Sequence, residues 1–132
     1  MSGPATITWL RPDRIEFPDP STALSEPNGL LAAGGDLDPR RLLAAYGNGI
    51  FPWYEDGQPI LWWSPDPRCV LYPGRLRVNR SLRRAARPER FEVSVDQAFD
   101  DVVAGCTRAD DPRAGTWITR EMAAAYSQLN RM

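Results

Sequence analysis

The sequence predicts an α+β fold, because it carries two kinds of hydrophobic periodicity and one strongly capped helix. From residue 95 to residue 106 the apolar side chains recur at the three- and four-residue spacing of an amphipathic helix. Residues 91–95 alternate apolar and polar side chains instead, as a half-buried strand does. A second helix is predicted over residues 40–48, with Asp38 as its N-cap and Pro39 as its first residue. Helices and strands are therefore expected in one chain.

The first half of the chain is predicted to be short of regular structure. Residues 1–28 are rich in Pro and Gly and predict a loop-rich lead-in. Residues 50–54 and 60–63 predict two short extended pieces that hold three of the five tryptophans. Two prolines then make residues 64–67 a rigid break. We expect a domain boundary there, with a small domain over residues 1–66.

The second domain is predicted to span residues 67–132. A strand is expected at residues 68–72, and a basic helical turn at 81–87. A capping box beginning at Ser94 predicts the start of the amphipathic helix. A loop at residues 110–115 leads to a last helix, for which Thr119 is the predicted N-cap.

The composition excludes several classes of enzyme. The chain of 132 residues has no histidine, which removes Ser–His and Cys–His catalysis and the usual zinc sites. Cys69 and Cys106 have no metal-binding spacing and are expected to be reduced, small and buried, as in a cytoplasmic protein. No signal peptide or membrane-spanning segment is apparent, so neither export nor membrane insertion is expected.

The positive charges are unevenly distributed, and all 16 of them are arginines. Residues 1–66 carry a net charge of −5 and residues 67–132 a net charge of +4. Between residues 68 and 90 there are eight arginines and one acid. Such a run is typical of a solvated face. The asymmetry between the halves makes nucleic-acid binding an equal alternative.

Six sequence blocks in order resemble one protein family. They are EPNGLLAAGGDL at 26–37, RLLAAY at 41–46, GIFPWY at 49–54, PILWWSPDPR at 59–68, RSL at 80–82, and GTWIT at 115–119 followed by Met122 and Ala125-Tyr126. These blocks resemble the bacterial leucyl/phenylalanyl-tRNA–protein transferases, and the resemblance covers nearly all of the chain from Phe17 onward. It implies a small N-terminal domain followed by the incomplete start of a GNAT-like acyltransferase domain.

The resemblance also implies an activity. Members of the family transfer Leu or Phe, and Met less well, from aminoacyl-tRNA to the N-terminal Arg or Lys of acceptor proteins, which marks them for degradation in the cytoplasm. Transfer from an ester to an amine requires no metal, ATP or other cofactor, and much of its rate can come from positioning. We expect no membrane partner and a monomer.

The same resemblance suggests roles for seven residues. Trp53 and Trp117 match positions that line the aminoacyl side-chain pocket, and the alternative is that both are core tryptophans. Tyr46 and Tyr126 match tyrosines implicated in binding the 3′-terminal adenosine or in activity, with helix packing as the alternative. The third set matches a cluster proposed to contact tRNA phosphates: Arg80, Arg84 and Arg87.

Other polar residues receive no catalytic role. Asp36, Asp38 and Asp66 adjoin Gly or Pro and are expected to cap or turn the backbone. The family's catalytic residues have no counterpart in this sequence and are expected beyond Met132. The chain is therefore expected to be the N-terminal portion of a transferase. The alternative is a non-catalytic fragment that binds tRNA weakly, and an unrelated aromatic-rich interaction module is a third possibility.

Overall fold

Strand β2 (Leu30–Gly34) is buried along its whole length and organises the fold. The structure is a computed structural model that describes residues 6–87, 91–107 and 116–132. β1 (Thr8–Leu10) pairs with β2 in parallel, and β4 (Leu61–Trp63) pairs with its other side antiparallel. The two-residue β3 (Phe51–Pro52) pairs antiparallel with β4. The result is a mixed four-stranded sheet of order β1-β2-β4-β3.

Four helices accompany the sheet: α1 (Pro39–Gly47), α2 (Arg80–Ala85), α3 (Phe99–Cys106) and α4 (Arg120–Asn130). The predicted α+β class is confirmed. The predicted cap of α1 is also confirmed, because the Asp38 carboxylate accepts the backbone N–H of Arg40 at 2.8 Å. Gly49, with a φ of 71°, follows the helix end, where a left-handed residue is common.

The core lies where the sheet meets α1 and α4. Trp62 is fully buried and donates its indole N–H to the Gly34 carbonyl at 2.9 Å. The ring of Phe17 meets that of Trp62 edge to face, with centroids 4.8 Å apart. The remaining buried members of the core cluster come from the first 50 residues and from α4. They are Leu10, Leu31, Ala32, Leu42, Ala45, Ile50 and Ala125.

The described residues form two units. One contains the sheet, α1, α3 and α4, which come from residues up to Asp66 and from Phe99 onward; the other is Pro67–Ala98 and contains α2. In the first unit, α4 packs against both α1 and α3. The predicted division of the sequence at residue 66 into two domains stays a prediction.

Three expectations for the second half were wrong. No strand is found at residues 68–72 or 91–95; the first stretch is exposed and leads into a 3₁₀ turn at Pro73–Arg75, and Val93 is almost fully exposed. An alternating pattern gives a strand only where a neighbouring strand supplies hydrogen bonds. The helix begins at Phe99 and not at Ser94, since Asp96 has a left-handed φ of 56°.

The cysteines also differ from expectation, because Cys69 and Cys106 are both exposed. Their apolar neighbours in sequence predicted burial, but neither segment contributes to the core cluster. The predicted loop at residues 110–115 lies outside the described residues.

Candidate functional site

The first part of the candidate site is the aromatic segment that leaves β3. The backbone N–H of Trp53 donates to the Leu61 carbonyl at 2.9 Å, and the indole N–H of Trp63 donates to the Trp53 carbonyl at 2.8 Å. The backbone of Trp53 is therefore held on both sides, while its side chain remains 55% exposed. Trp53 is not a core tryptophan.

A groove of about 430 Å³ adjoins Trp53. Most of its lining is apolar or aromatic, including Phe51, Leu61 and Trp63, and Glu55 and Gln58 add polar groups. A concave, mainly apolar site with a few polar groups is typical of small-ligand binding. The groove can accept an aliphatic or aromatic side chain without reading it by hydrogen bonds.

The second part is the segment that leads into α4. The side chain of Trp117 is 47% exposed, so this tryptophan is not in the core either. Two residues later, the Thr119 hydroxyl accepts the backbone N–H of Met122 at 3.1 Å and caps α4, as predicted. Trp117 thus immediately precedes a helix whose first turn is fixed by a side-chain hydrogen bond.

A buried contact brings these two segments together. The hydroxyl oxygens of Tyr54 and Thr119, 65 residues apart in sequence, lie 3.4 Å from each other. Burial raises the pKa of Tyr54, so this phenol is neutral at physiological pH. Because Trp53 adjoins Tyr54 and Trp117 is two residues from Thr119, the two predicted pocket tryptophans belong to neighbouring parts of the same unit.

The third part is a pair of tyrosines that joins α1 to α4. The Tyr46 and Tyr126 hydroxyls are hydrogen-bonded, and the rings meet edge to face with centroids 6.3 Å apart. Tyr46 is 48% exposed. Burial, followed by the hydrogen bond to Tyr46, raises the pKa of Tyr126, so its phenol stays protonated. The pair packs α1 against α4 and leaves the Tyr46 side chain about half exposed, while binding of the 3′-terminal adenosine stays a prediction.

The predicted phosphate-binding arginines lie in the other unit. Asn79 caps α2 by accepting the Leu82 backbone N–H at 2.8 Å. Arg80 and Arg84, one helical turn apart, line a groove of about 550 Å³ with Ser81 and Ala85. Arg87 comes after the C-terminal cap of α2, so only two of the three predicted arginines share the helical face.

Sequence reasoning missed one charged residue in the core. Arg41 is only 1% exposed and donates to the Asp36 carboxylate at 2.9 Å and to the Arg11 carbonyl at 3.0 Å. The hydrogen bond from Arg41 is the main cause that lowers the pKa of Asp36. One signal was present in the sequence, since Arg41 lies four residues before Ala45 on the apolar face of α1.

The described residues offer neither a metal site nor a membrane-spanning helix. Over these ranges, no group of three or more Cys, Asp or Glu side chains could hold a metal ion. No helix in the described part of the chain is long and apolar enough to cross a bilayer.

Comparison with known proteins shows the family to which this chain belongs. The family model described as the leucyl/phenylalanyl-tRNA protein transferase N-terminal domain matches residues 35–66, and the leucyl/phenylalanyl-tRNA protein transferase model matches residues 70–132. The chain belongs to this family.

Individual relatives agree with that assignment. The curated leucyl/phenylalanyl-tRNA–protein transferase of Stutzerimonas stutzeri is 56% identical to this chain over 126 residues. The match covers 96% of this chain and 56% of the relative. The protein of the same name from Pseudomonas paraeruginosa is 57% identical over 124 residues, covering 94% and 55%. That from Azoarcus sp. is 57% identical over 126 residues, covering 96% and 53%. The chain therefore spans about half the length of the curated relatives it matches.

Proposed function

We propose that this chain is the part of an aminoacyltransferase that receives the aminoacyl end of tRNA. The observation that carries the proposal is that four aromatic residues matched by the family resemblance belong to one unit, and that two of them, Tyr46 and Tyr126, are in contact. Tyr46 and Trp53 come from the first half of the chain, and Trp117 and Tyr126 come from its last helix and the residues before it. The hydroxyl contacts Tyr46–Tyr126 and Tyr54–Thr119 support their assembly.

In the proposed reaction, Leu or Phe, and Met less well, moves from aminoacyl-tRNA to a protein that begins with Arg or Lys. The α-amine nitrogen attacks the ester carbonyl carbon, an amide bond forms, and the bond to the ribose oxygen breaks. The proton lost by the amine passes to that oxygen, which leaves as the tRNA hydroxyl. The product carries a new N-terminus that marks it for degradation.

The Trp53 groove supports the choice of aminoacyl group. Phe51, Leu61 and Trp63 line the groove, so it favours bound side chains with a large apolar surface. A hydrophobic pocket discriminates weakly among apolar side chains, because each methylene contributes only about 1–3 kcal/mol. We therefore assign the aminoacyl side chain to Trp53, which lines this groove, and extend the assignment to Trp117 on the family resemblance alone. The 3′-terminal adenosine is assigned to Tyr46 and Tyr126, where a phenol can stack on a base.

The assignment of tRNA phosphates to Arg80, Arg84 and Arg87 is supported by exposure and charge. All three side chains are exposed, and the segment has eight arginines against one acid between residues 68 and 90. Contacts to phosphate carry no sequence information, which suits an enzyme that accepts several tRNAs. A GNAT-like domain, beginning within residues 67–132, completes the proposal. If catalytic groups are absent from the polypeptide, weak tRNA binding is the alternative function.

The test replaces Trp53 by Ala in the full-length polypeptide and measures leucine transfer from leucyl-tRNA to a peptide that begins with Arg. We expect transfer efficiency to fall about tenfold, the equivalent of about 1.4 kcal/mol of lost contact. The control is Trp9→Ala, which removes an indole that is 67% exposed on the edge strand β1. Equal losses in both variants would contradict the assignment of Trp53.

A further inference from the structure

Thr119 connects more of the candidate site than any other buried polar side chain in the described ranges. Its hydroxyl oxygen accepts the Met122 N–H at 3.1 Å and lies 3.4 Å from the Tyr54 hydroxyl. Its carbonyl accepts the Ala123 N–H at 2.9 Å, so the residue also starts the backbone ladder of α4. Thr119 itself is 6% exposed, which removes it from contact with a bound substrate.

The residues just before Thr119 are folded by equally local contacts. The Thr119 N–H donates to the Trp117 carbonyl at 3.1 Å, and the Ile118 N–H donates to the Thr116 hydroxyl at 3.1 Å. These bonds turn the backbone so that the Trp117 side chain stays half exposed while Thr119 is buried. The place of the Trp117 indole therefore depends on where Thr119 is held.

We propose that Thr119 is a positioning residue, whose hydroxyl fixes the turn that carries Trp117 at the start of α4. The 3.1 Å capping bond fixes the start of α4, and the longer Tyr54 contact ties that start to the residue next to Trp53. This inference rests on the proposed function, because it assumes that the two tryptophans hold the aminoacyl side chain.

The test compares Thr119→Ala, Thr119→Ser and Ala124→Gly in the 132-residue chain. Ala124 is an exposed residue inside α4, so glycine there weakens the same helix without touching its cap. The probe is leucyl-tRNA whose ester is replaced by a stable amide. Its dissociation constant is measured beside the thermal midpoint of each variant.

We expect Thr119→Ala to weaken probe binding about tenfold and Thr119→Ser to restore it, because serine also accepts the Met122 N–H. Ala124→Gly is expected to lower the thermal midpoint with less than a twofold change in binding. A purely structural role predicts that binding follows stability in all three variants, and that result would overturn the inference.

The remaining outcomes separate the inference from the function on which it rests. If the wild-type chain binds the probe and Thr119→Ala binds it equally well, the inference fails and the proposed function stands. If the wild-type chain does not bind the probe, both the proposed function and the inference fail. Should Thr119→Ala not fold, the contrast between Thr119→Ser and Ala124→Gly still decides, because loss of binding in the serine variant contradicts a role for the hydroxyl.

Discussion

Arg41 places a positive charge in the core of the sheet-containing unit. Its guanidinium binds the Asp36 carboxylate and the carbonyls of Arg11 and Pro12, so it ties the chain after β1 to helix α1. Within the described residues its Nη1 atom is buried without a hydrogen-bond partner. A buried cation is costly unless it is paired, and Asp36 supplies the pairing charge.

Replacing Asp36 by Ala is expected to lower the free energy of unfolding by about 1–3 kcal/mol, because the buried guanidinium loses a charged hydrogen-bond partner whose own side chain is 39% exposed. Asp13→Ala is the matched control, since Asp13 pairs with Arg11 where both side chains are exposed. An exposed pair contributes about 0–1 kcal/mol. Urea unfolding of both variants measures the difference, and similar losses would contradict a special role for the Arg41–Asp36 pair.

The pH dependence of that difference follows from the direction of the pKa shift. Arg41 lowers the pKa of Asp36 in the folded chain. The stabilisation is therefore present above the unfolded value of about 3.9 and is lost as the pH falls through the lower folded value. The gap between wild type and Asp36→Ala should shrink in acid, and a gap that is unchanged at pH 2 would contradict the ionic origin.

At the scale of the residue, the sequence predicted the roles of side chains whose hydrogen-bond partners lie close to them in sequence. Asp38 and Thr119 were recognised as caps because a cap bonds to a backbone N–H two or three residues away. Arg41 was missed because its acceptors include carbonyls 29 and 30 residues earlier in the chain. The contact between Tyr54 and Thr119 joins positions 65 residues apart, and no local pattern indicates it.

Among the elements, the helices were predicted better than the strands. α1 and α4 have caps and apolar faces that are visible in the sequence, and each was found where expected. The stretches at residues 68–72 and 91–95 carry strand-like side chains, but neither forms a strand. A helix satisfies its own backbone, whereas a strand depends on partners that may be distant in sequence, so side-chain pattern alone is a weaker guide to strands.

Helix α2 provides a prediction at the scale of the element. Arg80→Glu with Arg84→Glu should abolish tRNA binding at low salt, since both side chains line the same groove and would repel phosphate. Arg77→Glu with Arg83→Glu changes the charge equally but lies outside the lining of that groove. For this control pair we expect weaker but measurable binding.

Salt titration of tRNA binding provides the check on that prediction. Each phosphate contact contributes roughly 0.7–0.9 to the slope of log affinity against log salt. Replacing Arg80 and Arg84 by Ala should therefore reduce the slope by about 1.4–1.8. An unchanged slope would show that neither arginine contacts phosphate.

In the molecule as a whole, acidic and basic character divide along the sequence. Residues 1–66 have a net charge of −5, whereas residues 67–132 have +4. The proposed function gives both halves a role, because a basic segment attracts tRNA phosphates while the uncharged aromatic side chains receive the aminoacyl end. The division of charge is visible in the sequence, whereas the structure was needed to show that Trp53 and Trp117 belong to the same unit.

The central claim is that the aminoacyl end of tRNA binds at Tyr46, Trp53, Trp117 and Tyr126, and photo-crosslinking tests it most directly. Leucyl-tRNA with an azidoadenosine at its 3′ terminus is irradiated with the chain, and the attached peptides are located by mass spectrometry. We predict crosslinks to residues 46–54 and 116–126, and their loss in the presence of excess unlabelled leucyl-tRNA. Crosslinks confined to residues 67–98 would contradict the account.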